Sequence, residues 1–180
     1  MPNYRRLYVP GGTYFFTVNL QDRQQTLLVD YIDIFRTVYG RVQKRYPFET
    51  LAICIMPEHL HCIWELPEGD ADFSKRWRLI KSGFSKALAQ KGLGVQGRRT
   101  GESGIWQRRF WEHMIDGNAE LGDYISYIYV NPVKHGLVDD IADWPYSSWH
   151  KLEADNYLTE EADNYLTDKP VFENLKTGES

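Results

Sequence analysis

Two histidines separated by one residue, His59 and His61, lie in an apolar run that follows Pro57 and Glu58. Side chains at positions i and i+2 of a β-strand share one face, so both imidazoles are predicted to point the same way. Two neutral imidazoles so placed form half of a divalent metal site. A pair of half-buried structural histidines beside a turn would show the same spacing. No Cys-x-x-Cys pair is present, which argues against a zinc finger.

A second candidate group lies in the segment YISYIYVN at residues 124–131. In a helix, Tyr127 and Asn131 are four residues apart and share a face, and Tyr124 lies on that face one turn earlier. A phenol becomes an effective nucleophile when a cation lowers its pKa from about 10, or when a metal makes the target phosphorus more electrophilic. The nearby amide oxygen could bind the same metal. A helix whose tyrosines simply pack on a sheet is the alternative interpretation.

The elements that must position these residues follow from hydrophobic periodicity and turn residues. Strands are predicted at 13–20, 48–56, 59–66 and 110–115, and helices at 29–46, 73–90 and 119–130. The last helix is predicted to stop at Asn131, because the residue before Pro132 avoids the helical region. The order β-α-β-β-α-β, followed by a helix that carries the tyrosine, predicts the α+β class. The expected architecture is a ferredoxin-like antiparallel sheet with helices on one face.

Charge is distributed unevenly along the 180 residues, although the net charge is only −4. Residues 73–113 hold ten basic and two acidic side chains, whereas residues 139–180 hold three basic and eleven acidic ones. This contrast indicates either a body that faces a polyanion and a solvated acidic tail, or simply a solvated helix face with a soluble tail. We therefore expect one domain at 1–150 and an acidic extension at 151–180, in which EADNYLT occurs twice. The hydrophobic content of 42% is sufficient for a core.

Four motifs occur in the order MPEHLHCIW, IWQRRFWEHMI, YIYVNPVKHGLV and DWPYSSW. Together with the opening YRRLYVPGGTYFFTVNL, they resemble the REP-associated tyrosine transposases, a branch of the single-tyrosine HUH (His-hydrophobe-His) transposases. The resemblance covers about residues 4 to 150. It implies that His59 and His61 bind Mg²⁺ or Mn²⁺, that Tyr127 is the nucleophile, and that Asn131 completes the metal site.

The same resemblance implies an activity. The protein is expected to be a metal-dependent single-stranded DNA endonuclease and strand transferase that acts on repeated extragenic palindromic (REP) hairpins through a 5′-phosphotyrosine intermediate. No nucleotide cofactor would be required, because the ester retains the energy of the broken bond. A hairpin-binding protein that does not cleave is one alternative. Another HUH nuclease, of the replication-initiator or relaxase type, is the other.

Several further side chains are candidates for contacts with DNA or for supporting roles. The basic residues expected to bind the phosphate backbone are Arg5, Arg6, Arg76, Arg78, Lys81, Arg98, Arg99, Arg108 and Arg109. Secondary candidates for the active site are His113, Tyr124 and Lys134, although Pro132 argues against a helix that reaches Lys134. The expected partner is single-stranded hairpin DNA, bound by a monomer or a homodimer. No membrane segment or signal peptide is predicted, so the expected location is the bacterial cytoplasm, in association with the nucleoid.

Overall fold

The computed structural model describes residues 6–93, 104–154 and 175–179. Its strands are β1 Thr13–Asn19, β2 Glu49–Ile55, β3 His59–Glu65 and β4 Trp111–Met114. Its helices are α1 Leu27–Asp30, α2 Ile32–Arg45, α3 Phe73–Gln90, α4 Gly117–Lys134 and α5 Trp149–Ala154, with a 3₁₀ turn at Ile141–Asp143.

The four strands form one sheet in the order β2-β3-β1-β4, and every neighbouring pair is antiparallel. Strands β2 and β3 are joined by the predicted tight turn at Pro57 and Glu58, where the Met56 amide donates to the His59 carbonyl at 2.8 Å. The α+β class and the predicted order of elements are confirmed. One predicted helix, 29–46, is broken at Tyr31 into α1 and α2.

Helices α2 and α3 cover one face of the sheet. The alternation of β1 sends Tyr14, Phe16 and Val18 into this layer, and all three are fully buried. Trp77, Ile80, Phe84 and Leu88 form an apolar stripe along α3 and are fully buried as well. Trp77 stacks on Trp64 of β3 with ring centroids 4.3 Å apart. These aromatic contacts form the larger hydrophobic core, which packs against one face of β1 and β3.

Helix α4 covers the opposite face, which corrects the expectation that the helices share one face. Its Tyr124, Tyr127 and Ile128 pack with Phe15 of β1 and Ile63 of β3 in a second core. The odd-numbered positions of β3 point into this layer. The predicted pair of histidines is therefore enclosed between the sheet and α4.

Helix α4 continues through Pro132 to Lys134, so the predicted stop at Asn131 is wrong. The helix ends only where the His135 amide donates to the Asn131 carbonyl at 3.0 Å and Gly136 adopts a φ of 67°. Asn131 and Pro132 are both buried, and α4 packs against β2 and β3. The free energy of that packing outweighs the local preference of a residue that precedes proline. As a result, Lys134 lies on the same helix as Tyr127.

Other predictions fall partly outside the described residues. Most of the glycine-rich segment 91–104 and most of the duplicated EADNYLT segments lie there. The predicted domain boundary at residue 150 falls inside α5, and the division into body and extension stays a prediction. Within the described ranges, no helix is long and apolar enough to span a membrane.

Candidate active site

His59 and His61 lie side by side on the face of β3 that meets α4. Both side chains are fully buried, and their ring centroids are 5.0 Å apart. In the antiparallel register, Asn19 and Thr17 of β1 stand opposite them. The strand alternation predicted from the sequence therefore holds, since Leu60 and Cys62 point into the other core.

Helix α4 brings Tyr127 to these histidines. The Tyr127 ring lies 5.3 Å from the ring of His61, centroid to centroid, and it is only 1% exposed. Asn131 is fully buried one turn further along, and neither its amide oxygen nor its amide nitrogen makes a full hydrogen bond within the described residues. Tyr127 and Asn131 thus share a face, as predicted.

Tyr124 lies one turn before Tyr127 and in different surroundings. Its ring stacks on Phe15 at 4.6 Å, and its hydroxyl donates to the carbonyl of Lys176 at 3.1 Å. Burial raises the pKa of Tyr124 to about 12. Helical spacing places Tyr124 and Tyr127 on the same face and does not show which of them lies nearer the histidines. The structure does, because the ring of Tyr127 contacts His61.

Lys134 approaches the Tyr127 phenol because α4 is continuous. Its Nζ lies 3.4 Å from the Tyr127 hydroxyl and 4.8 Å from the ring centroid. Burial lowers the pKa of Lys134, but its hydrogen bond to Glu179 and its contact with Tyr127 outweigh that effect and raise it overall. The ammonium form is therefore maintained beside the phenol, whose own pKa is raised by burial.

Glu179, near the end of the chain, contacts the two histidines. Its Oε1 lies 2.7 Å from Nε2 of His61 and 3.4 Å from Nε2 of His59, and its Oε2 lies 2.8 Å from Nζ of Lys134. Burial opposes ionisation of this carboxyl, but its hydrogen bonds to the histidines and the lysine hold its pKa well below the usual range. Nothing in the local sequence predicts this contact, because 118 residues separate Glu179 from His61.

The two histidines differ in electrostatic environment. Burial disfavours the charged form of His59, but the carboxylates of Glu179 and Glu58 outweigh it and raise the pKa of His59. Burial lowers the pKa of His61 to about 4, in spite of its hydrogen bond to Glu179. His61 is thus neutral near pH 7 and has a lone pair available for a metal ion.

Comparison with known proteins identifies the family. Residues 9–131 match the family described as IS200-like transposases. The chain belongs to the IS200-like transposase family. It is 46% identical over 151 residues to the REP-associated tyrosine transposase of Escherichia coli K12, with 84% of each chain covered. It is 48% identical over 160 residues to a candidate REP-associated tyrosine transposase of Haemophilus influenzae, covering 87% of this chain and 91% of that one.

A solved structure supports the same assignment. The structure of a REP-associated tyrosine transposase bound to a REP hairpin matches with a TM-score of 0.78 at 45% identity, covering 87% of both chains. The resemblance inferred from the four sequence motifs is therefore confirmed at the level of the family. The enclosed histidines, Tyr127 and Asn131 all lie within the matched residues 9–131.

The side chains of this IS200-like transposase fit a divalent cation. His59, His61 and Glu179 each offer one ligand atom, and these atoms all lie within 4.8 Å of one another. Nε2 of His59 is buried 3.4 Å from Oε1 of Glu179 without a well-aligned hydrogen bond, and the buried Asn131 amide oxygen makes no full hydrogen bond within the described residues. Imidazole nitrogens with carboxylate or amide oxygens suit Mn²⁺, and the oxygens suit Mg²⁺.

Sequence reasoning missed two residues that hold the histidines of this transposase. Glu58 Oε1 lies 2.8 Å from Nδ1 of His59, and Thr17 Oγ1 lies 2.8 Å from Nδ1 of His61. Glu58 precedes the first histidine, so its position in the motif was visible although its role was not. Thr17 lies opposite His61 only because of the β1–β3 register, which the sequence does not specify.

His113 lies on β4, on the same face of the sheet as Phe15, its partner in the register. Its Nε2 is 2.8 Å from a carboxylate oxygen of Glu120, and its ring packs 5.3 Å from that of Tyr124. It therefore supports the start of α4 and the Tyr124 side of the site. Its role as a secondary candidate for the active site stays a prediction.

The predicted DNA-contacting residues differ in their environments. Arg78 on α3 and Arg108 and Arg109, which precede β4, are exposed. Arg6 and Lys81 are partly occupied within the protein: Arg6 pairs with Glu112 at 3.2 Å, and Lys81 donates to the Gln107 carbonyl at 2.7 Å. Burial lowers the pKa of Lys81 to about 8. The predictions for Arg5, Arg98 and Arg99 lie outside the described residues.

Arg76 is buried, which corrects the prediction that it contacts DNA. Its side chain is 2% exposed and binds both carboxylate oxygens of Asp70, at 2.7 and 3.0 Å. Its remaining N–H groups donate to the carbonyls of Tyr46, Pro47 and Asp72 at 3.1, 2.7 and 3.0 Å. With all of these contacts inside the protein, its guanidinium joins α3 to the segment before β2.

Replacement of Arg76 by methionine is expected to lower the free energy of unfolding by about 2–3 kcal/mol, because buried carbonyls would lose their donors and Asp70 its partner. Urea denaturation measures the change. Arg78→Met is the matched control on the exposed side of the same helix, and we expect it to change stability by less than about 0.5 kcal/mol. Equal losses in the two variants would contradict the structural role of Arg76.

Proposed function

We propose that this transposase is a metal-dependent single-stranded DNA endonuclease and strand transferase that acts on REP-like hairpins. The observation that carries the proposal is the position of Tyr127. Its phenol is held on a continuous helix against a buried pair of histidines, with an ammonium group 3.4 Å from its oxygen. A nucleophile, a cation and a set of metal ligands thus meet in one enclosed place.

In the proposed reaction, the Tyr127 oxygen attacks the scissile phosphorus, and the bond from phosphorus to the 3′-oxygen of the preceding nucleotide breaks. The phenolic proton passes to solvent, and the departing 3′-oxygen takes up a proton to become a hydroxyl. The products are a 5′-phosphotyrosine and a free 3′-hydroxyl. In strand transfer, a 3′-hydroxyl attacks the same phosphorus and the Tyr127 oxygen departs. No nucleotide cofactor is consumed, since one phosphodiester is exchanged for another.

His59, His61 and Asn131 would hold Mg²⁺ or Mn²⁺, which when bound would withdraw charge from the scissile phosphate. Lys134 keeps an ammonium group beside the Tyr127 oxygen, where negative charge is present when the phenol attacks and again when it leaves. An ammonium at that distance stabilises a phenolate more than a phenol. This contact supports a direct role for Lys134 in both half-reactions.

Two observations support hairpin DNA as the partner. The relative of known structure was solved bound to a REP hairpin, and the cations Arg78, Arg108 and Arg109 of this chain are exposed and available to a phosphate backbone. We place the protein in the bacterial cytoplasm, at the nucleoid, because its proposed substrate is there.

The proposal is tested by incubating the protein with Mn²⁺ or Mg²⁺ and single-stranded oligonucleotides that carry repeated hairpins from its own genome. We expect a covalent adduct that survives denaturing electrophoresis and maps to Tyr127. Glu179→Gln protein is assayed in parallel, because Glu179 occupies the ligand atoms of both histidines. Tight hairpin binding without any adduct in either protein would favour the alternative of a binding protein that does not cleave.

A further inference from the structure

The two histidines are each held at Nδ1 by a different kind of group. Nδ1 of His59 lies 2.8 Å from the Glu58 carboxylate, and Nδ1 of His61 lies 2.8 Å from the Thr17 hydroxyl. The Nε2 atoms of both rings point instead to the space shared with Glu179. Both imidazoles therefore direct the same atom into the site, although they lie on successive inward positions of one strand.

The direction of each hydrogen bond follows from the proton that each partner can supply. The Thr17 hydroxyl has one proton, which it donates to the carbonyl of Thr177. Its oxygen must then accept from an N–H at Nδ1 of His61. The Glu58 carboxylate has no proton to give, so it also accepts from Nδ1–H of His59. Each ring that donates at Nδ1 has an Nε2 lone pair for a metal ion once the Glu179 carboxylate, which lies 2.7 Å from Nε2 of His61 and would accept an N–H there, is displaced.

Each partner is itself fixed in place. Thr17 is fully buried on β1, directly opposite His61 in the register. Glu58 lies in the β2–β3 turn with its side chain 17% exposed, and Arg23 approaches the same carboxylate oxygen at 3.4 Å. One partner is therefore neutral and enclosed, and the other is charged, partly exposed and supported by a cation.

From this arrangement we infer that Glu58 and Thr17 are positioning residues, which hold His59 and His61 in the Nδ1–H tautomer with Nε2 presented to the metal ion. The inference rests on the proposed function, since it concerns the metal site of that reaction. Hydrogen-bond partners of this kind orient metal-binding histidines, and their loss weakens metal binding by roughly 10- to 100-fold. The unlike charges of the two partners imply that His59 is the stronger donor.

The tautomers can be measured by ¹⁵N–¹H NMR of the histidine rings in metal-free full-length Glu179→Ala protein, which lacks the carboxylate that would accept an N–H at Nε2. In this background, both neutral rings are expected to carry the proton on Nδ1. Adding Thr17→Val, which preserves shape but lacks the hydroxyl, is expected to move the proton of His61 toward Nε2, and adding Thr17→Ser instead is expected to retain the signal of the Glu179→Ala protein. An unchanged tautomer on adding Thr17→Val, in well-folded protein, would overturn the role of Thr17.

Metal affinity gives a second measurement, by titration with Mn²⁺ followed by electron paramagnetic resonance. Thr17→Val and Glu58→Ala are expected to weaken Mn²⁺ binding by roughly 10- to 100-fold, and Thr17→Ser and Glu58→Gln by less, since each retains an acceptor. Equal affinity in wild type and all four variants would overturn the inference alone. A wild type that binds no Mn²⁺ would instead contradict the metal site of the proposed function, and the NMR result would still test the tautomers.

Discussion

Tyr127→Phe protein is expected to form no covalent adduct with hairpin DNA, and its rate of strand cleavage to fall by at least about 10³-fold, because Tyr127 supplies the phenol that packs on the ring of His61. Hairpin affinity is expected to stay within about twofold of the wild type, because the exposed cations Arg78, Arg108 and Arg109 are untouched. The fold is retained, since the phenylalanine ring fills the same buried space. Denaturing electrophoresis measures the adduct, and a filter-binding titration measures affinity.

Tyr124→Phe is the matched control for this variant. It also removes one buried phenolic hydroxyl from α4, but that hydroxyl donates to the Lys176 carbonyl and not toward the histidines. We expect near-normal cleavage from Tyr124→Phe protein. An adduct that persists in Tyr127→Phe protein, or that maps to Tyr124, would contradict the choice of nucleophile.

Replacement of both His59 and His61 by alanine is expected to remove metal-stimulated cleavage, again by about 10³-fold or more, because the ligand set loses both of its imidazoles. EDTA is expected to abolish cleavage by the wild type, and excess Mn²⁺ to restore it. The measurements are the cleavage rate against metal concentration and the binding of Mn²⁺. Circular dichroism of the variant establishes that the fold survives the loss of two buried rings.

His113→Ala is the appropriate control, because it removes an imidazole that pairs with Glu120 and lies beside Tyr124. We expect it to keep its dependence on metal. Cleavage by the wild type that continues unchanged in EDTA would reject the metal-binding role of the histidines, whatever the alanine variants do.

The segment near the C-terminus contacts the candidate active site, which its acidic charge alone did not predict. The tail was expected to be a solvated polyanion, and much of it lies outside the described residues. Its residues 175–179 nevertheless contact the site, through Glu179 at the histidines and the Lys176 carbonyl at Tyr124. A carboxylate on the two Nε2 atoms competes for the same position as a metal ion.

Several features of the site could be predicted because they depend on short-range regularity. The alternation of a strand places His59 and His61 on one face wherever that strand lies, and the turn of a helix does the same for Tyr127 and Asn131. The four strands, the extent of α3 and its apolar stripe follow from the same periodicities. The motifs also identified the family, because chemically specific residues occur in four motifs in the order that the family shows.

Two errors show where local reasoning fails. Helix α4 was predicted to end at Asn131 because a residue that precedes proline disfavours the helical conformation. The packing of α4 on the sheet outweighs that preference. Arg76 was assigned to DNA because it is one of ten cations in a basic segment, yet its position on α3 turns it inward to Asp70 and three carbonyls. Composition does not reveal the direction in which a given side chain points.

The sequence by itself determined the family, the order of the elements and which residues share a face within a single strand or helix. Only the tertiary structure decided that α4 covers the second face of the sheet, that Lys134 reaches the Tyr127 oxygen, and that Thr17, Glu58 and Glu179 surround the histidines. The reason is that periodicity is a property of neighbouring residues. Contacts across 44 residues, from Thr17 to His61, or across 118, from His61 to Glu179, depend on which surfaces are buried together.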